Sequence, residues 1–166
     1  GTIGSPGMVV LGSTAHSVAS SAGPVDLDTI AVLLPVLLAV ATIGAPYTIG
    51  RGIGTGVTGL TAAWLLALAP GHIAATGAGS FGGGAAGPLL VALAVRGWGA
   101  AVQRGSVREA AVVACWLWAL AVTWAPGVKI VLEVIVGHVA VQAMTGRPLE
   151  NGPGLVVAIG TLATAL

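Results

Sequence analysis

Charge is what this sequence has least of. Its 166 residues carry six Lys and Arg against five Asp and Glu, so that only 7% of the chain is charged and the formal net charge is +1. A soluble domain runs near about 25% charged, so these residues cannot cover a globule in water. The small net charge, with no basic stripe interleaved with aromatics, excludes the usual footprint of a nucleic-acid partner. Cysteine is nearly absent as well. A single Cys115 excludes an internal disulfide and a cysteine metal site. Inside an apolar run beside Trp116, it reads as a small buried hydrophobe. The chain also lacks the GxxxxGK[ST] phosphate loop, the HExxH metal pair and the GxSxG nucleophile elbow. No motif points to a catalytic residue, a metal or a cofactor.

What is abundant is apolar. Hydrophobic residues make up 56% of the chain, and the mean hydropathy is +1.01. The 27 glycines do not signal disorder, which requires low hydrophobicity; glycine is common in membrane helices. The class is therefore all-α, a polytopic transmembrane bundle of about six short Gly/Ala-rich spans, each needing about 20 apolar residues.

Residues 1–28 read as an extramembrane N-terminal segment and 29–166 as one transmembrane domain. The chain starts at Gly1 and stops in the apolar LATAL, as a processed or trimmed chain does, and GTIGSPG ahead of Met8 reads as extraneous to the fold. Residues 8–25, interrupted by His16 and several serines, are too polar and short to span a bilayer and read as a surface segment. Spans are expected near 29–49, 53–68, 81–95, 110–125, 128–145 and 153–166. Asp26 and Asp28 suit the positive end of the first helix, while Pro35 and Pro46 should kink it. Gly50-Arg51-Gly52, Pro70-Gly71-His72 and Pro126-Gly127 mark breaks.

With six spans, Arg51, Arg96, Arg104, Arg108 and Arg147 all fall on one side. Cytoplasmic loops carry the basic excess. The expected location is a bacterial or archaeal plasma membrane, with the arginine loops in the cytoplasm and both termini outside.

The span at 128–145, VKIVLEVIVGHVAVQAMT, is the most polar of the apolar runs. An ionisable group within a span is a functional-site hypothesis by default. Lys129 and Glu133 lie about 40° apart on a helix and can pair, and His138 with Gln142 forms a second couple on another face, about 140° from Glu133. His138 lies about 15 Å in, near mid-membrane, where transporters place their sites. His138, Glu133, Gln142, Lys129 and His72 are the candidate substrate- or proton-binding residues.

Gly50 to Gly59, GRGIGTGVTG, superficially resembles the glycine ladder of rotor-ring proteolipids, and TIGRG (48–52) the TVGYG filter of potassium channels. Rotor rings also need a membrane-embedded carboxylate in a partner helix, and the loop residues here do not match theirs; Arg51 at the centre of TIGRG would oppose cations. Gly50, Gly52, Gly54, Gly56, Gly83 and Gly87 are instead expected to let helices pack closely, as small-xxx-small residues do. Ser80, after His72, invites comparison with rhomboid-like serine hydrolases, but GSFG departs from their Gly-x-Ser-Gly. Trp98 beside Arg96 and Trp124 beside Pro126 read as interfacial anchors, and Trp64, Trp116 and Trp118 as packing residues deeper in.

The residues identify no family. The leading reading is a small transporter or channel, or a membrane subunit of one, moving a solute or ion past the fifth span. The alternatives are a non-catalytic structural subunit of a larger membrane complex and, lacking any motif, an intramembrane enzyme. Expected partners are the lipid bilayer, with further copies or other membrane subunits, and no nucleic acid.

Overall fold

The computed structural model describes residues 6–24, 26–77 and 83–145. They form seven α-helices and, among the described residues, no strand: α1 Pro6–Ala22, α2 Leu27–Ile53, α3 Gly56–Ala67, α4 Pro70–Thr76, α5 Gly83–Arg104, α6 Val107–Thr123 and α7 Ala125–Met144. An all-helical chain is what lipid requires of these residues. A helix satisfies its own backbone hydrogen bonds where no water is present.

Three helices are long and apolar enough to cross a membrane: α2 with 27 residues, Gly84–Arg104 of α5 with 21 and α7 with 20. The pair α3–α4 qualifies as a fourth crossing only as one broken span, since it is bent by 63°. With 17 residues, α6 rises about 26 Å. The described residues thus hold three or four candidate crossings, and the expected span at 153–166 lies outside them.

Several expectations are corrected. The serine-bearing stretch near the start, expected as a surface segment, is helical as α1, and Pro6 and Gly7, set aside as extraneous, belong to it. Its hydroxyls are satisfied within the helix: Ser13 and Thr14 donate to Val10 O, each at 2.9 Å, and Ser21 to Val18 O at 2.6 Å. The third expected span, read as stopping near residue 95, runs on to Arg104 as α5. It ends there because Gly105, at φ 61°, takes the left-handed position that glycine adopts freely, and its N–H returns to Ala101 O at 2.9 Å. Cys115 is exposed rather than buried.

The structure divides into two compact units, Gly1–Leu89 with Val122–Trp124, and Leu90–Ala121 with Ala125–Leu166. In the first unit, α2 packs mainly on α3 and also meets α1 and α4. The turn into α3 is held by a capping box in which Thr58 N–H donates to Thr55 Oγ1 at 3.4 Å and Thr55 N–H to Thr58 Oγ1 at 3.2 Å. Close approach then rests on two glycines. A Cβ on Gly50 would meet Gly59 Cα at 2.9 Å, and one on Gly59 would strike the Tyr47 carbonyl oxygen. Met8 of α1 is buried with Ala85 and Ala86, against Leu38. Gly7 has no room for a Cβ beside Thr123, nor Gly87 beside the Trp124 ring. Trp124 therefore packs inside the first unit rather than only anchoring at a headgroup level.

In the second unit the buried residues fall into stripes three and four residues apart: Ala94, Trp98 and Ala101 on α5, Ala110, Val113, Leu117 and Leu120 on α6, and Val128, Val131 and Ile135 on α7. Most of the remaining bulk faces outward. Only 11% of the most apolar stretch of α2 is buried, and Val32, Leu33, Val36, Leu37 and Val40 are all exposed. Water would not tolerate so large an apolar face on a monomer, whereas lipid does.

Gly59→Ala should lower stability by about 1–3 kcal/mol, because backbone opposes the new methyl and cannot yield. Gly52→Ala, where nothing lies within 4 Å, should be neutral or slightly stabilising. Thermal unfolding of the purified full-length protein in detergent checks both, and equal effects would contradict the close α2–α3 approach.

Candidate functional site

The polar groups of α7 separate as their helical spacing dictates. Lys129 Nζ and Glu133 Oε1 are 4.0 Å apart, with side chains 81% and 67% exposed. In water such a pair contributes about 0–1 kcal/mol, and it faces outward rather than lining a cavity. Gln142 is half-buried and Thr145, further along, is exposed. His138 turns instead towards α5, where its ring meets Trp98 edge to face, centroids 6.3 Å apart and planes at 89°. That geometry suits the quadrupoles of two aromatic rings.

Trp98 was expected at a headgroup level, yet it is 5% exposed. α5 runs on to Arg104, so Trp98 lies within the helix, and its ring is covered by packing within the second unit that includes His138. The Trp98–His138 contact is the feature that sequence reasoning missed. The sequence hid it, because the glycines at 97 and 99 read as a break ahead of the stop at Gly105. The indole Nε1 of Trp98 and Nε2 of His138 are both buried without a hydrogen-bond partner. Such exceptions are few in native structures.

His72 stands apart from this pair, in the first unit. It lies on α4, 8% exposed, with neither ring nitrogen partnered. Of the other tryptophans, Trp64 and Trp118 are exposed and Trp116 is half-buried, so the ring pair on α6 does not converge on one site. Among the candidate packing glycines, Gly50 and Gly87 are closely approached, Gly52 and Gly56 have open space, and Gly54 touches only Thr58 of its own turn. Gly83 begins α5; its surroundings, like Ser80, lie outside the described residues. Arg104 Nη1 reaches Glu109 Oε1 at 2.6 Å, bracing the α5–α6 turn. Among the described residues, no three His, Cys, Asp or Glu side chains come together to hold a metal.

The five sequence-predicted polar residues therefore form an outward ion pair, an aromatic contact with half-buried Gln142 nearby, and a separate buried histidine. A multi-pass helical membrane segment with dispersed polar groups is the class that this fold and these sites define. Within it, the chain belongs to the family described as oligosaccharyl transferase STT3, N-terminal, whose model matches residues 1–164. It is similar to the dolichyl-diphosphooligosaccharide–protein glycosyltransferase subunit STT3 of Saccharomyces cerevisiae, 28% identical over 144 residues that cover 85% of this chain and 20% of that protein. The chain thus spans about a fifth of the length of the curated relative it matches.

This membership overturns the transporter or channel reading: the family is one of glycosyltransferases. The error came from treating ionisable groups on an apolar helix as a conduction site, when helix spacing sends them to different surroundings. The alternatives of a membrane-complex subunit and a membrane enzyme stand nearer to the finding. The plasma-membrane assignment is corrected too, because the STT3 homologue is an endoplasmic reticulum oligosaccharyltransferase subunit. Counting arginines compares two faces of a membrane and carries nothing about which membrane it is.

Replacing Trp98 separates its ring from its N–H. Trp98→Phe deletes an unpartnered buried donor and should change stability by less than about 1 kcal/mol, whereas Trp98→Ala should cost about 3–5 kcal/mol by leaving a cavity. Detergent-phase unfolding measures both. A Phe variant as damaged as the Ala variant would show that the N–H does have a partner.

Proposed function

We propose that this chain forms part of the membrane-embedded portion of an oligosaccharyltransferase, which moves an oligosaccharide from a dolichyl diphosphate carrier to protein. The observation that carries this reading is the family match over residues 1–164. The relative's name supplies the donor and acceptor classes. Two features of the chain suit the task. A carrier with a long isoprenoid tail stays in the bilayer, so the transferring protein must meet it there, and the outward face of α2 is apolar along its length. If the bent α3–α4 pair crosses as one broken span, the backbone at its break must be covered by protein or line a polar space.

In this reading the protein lies in the endoplasmic reticulum membrane and assembles with other membrane subunits. Lys129 and Glu133 serve at the surface of α7, and His138, with Gln142 one turn on, holds α7 to α5.

The test is direct transfer. Purified complex containing the full-length protein, given a dolichyl-diphosphate-linked oligosaccharide and a peptide bearing the Asn-x-Ser/Thr acceptor pattern, should yield glycopeptide and release the carrier. No glycopeptide, where the yeast enzyme run in parallel makes it, overturns the proposal.

A further inference from the structure

The buried polar side chains of the described residues are Thr42, His72 and Thr76, on α2 and α4, two helices of the first unit that pack together. Two of the three are satisfied at home. Thr42 Oγ1 donates to Leu38 O at 2.7 Å, and Thr76 Oγ1 to His72 O at 2.6 Å. His72 is different. Its ring is 8% exposed and both Nδ1 and Nε2 are buried with nothing to bond.

An imidazole carries a donor and an acceptor on opposite edges, and each left unmet costs about 1–3 kcal/mol. Apolar packing alone would favour a Leu or Phe at this position. The location sharpens the point. His72 follows directly on the break between α3 and α4, where the axis bends by 63°, and discontinuous membrane helices of this kind recur at ligand sites. The described charges of the first unit, Asp26, Asp28 and Arg51, are all exposed, and none is hydrogen-bonded to the ring. The ring therefore lacks an acceptor for its N–H and a donor for its bare nitrogen, and hydroxyl groups supply both.

We propose that His72, in the elbow of the broken α3–α4 span, is a binding residue for a hydroxyl of the lipid-linked saccharide. This rests on the glycosyltransferase reading above. An ordered water offers the same chemistry, and the experiment tells the two apart. His72 makes the contact through its ring nitrogens, and Thr76 one turn on, whose proton is engaged by the His72 carbonyl, keeps lone pairs free to accept.

The measurement uses purified complex containing the full-length protein, wild type, His72→Phe and His72→Gln. The two probes are a saccharide-bearing dolichyl diphosphate and the sugar-free dolichyl diphosphate. His72→Phe keeps a ring without nitrogens and should raise KM for the saccharide-bearing donor about tenfold, the loss of about 1.4 kcal/mol. It should leave kcat within about twofold, as loss of uniform binding does, and the affinity for sugar-free carrier unchanged. His72→Gln, with a donor and an acceptor, should recover most of the KM. If the Phe variant does not assemble, His72→Leu is read in the same way. An unchanged KM in a folded variant means that water alone fills the site, and equal weakening of both probes means that the carrier is what the site reads. Either result overturns the proposal. Absence of transfer by the wild type is a different failure, that of the glycosyltransferase reading itself.

Discussion

The structure depends on one constraint, that a backbone in hydrocarbon must hydrogen-bond to itself. From it follow the helices, their length and the treatment of nearly every polar side chain. Serine and threonine hydroxyls in α1 and α2 fold back onto carbonyls of their own helix. The chain leaves α2 and re-enters α3 through a reciprocal threonine cap, and it stops α5 with a left-handed glycine. Where a helix can satisfy itself, packing needs only shape, and shape here comes from small residues. Gly50 and Gly59 bring α2 and α3 to backbone contact, which fits the way membrane helices associate without a hydrophobic drive between them.

The same constraint makes the exceptions informative. Trp98, His138 and His72 hold buried nitrogens without partners, in a solvent that punishes this more than water does. For Trp98 and His138 the aromatic contact gives a packing account of why the rings are there. For His72 no packing account suffices, because both edges of the ring are orphaned on a short helix beside a break.

The all-helical class was legible from composition alone, since a chain with 7% charge has no alternative to lipid or to burial in partners. The polar couples of α7 were legible from angular spacing: Lys129 and Glu133 do meet, and His138 does face elsewhere. The reach of α5 was not, because Arg96-Gly97-Trp98-Gly99 reads as a break when glycines are counted without their backbone angles. Among the described residues, only Gly105 takes a positive φ. Function was illegible, because no motif of the kind used to recognise chemistry lies in these residues.

The central claim, that these helices present their apolar faces to lipid, is tested most directly by spin labels placed singly along α2. Labels at Val36, Leu37 and Val40 in reconstituted full-length protein should collide readily with oxygen and hardly at all with a water-soluble nickel chelate. Ready collision with the chelate at all three positions would contradict the account.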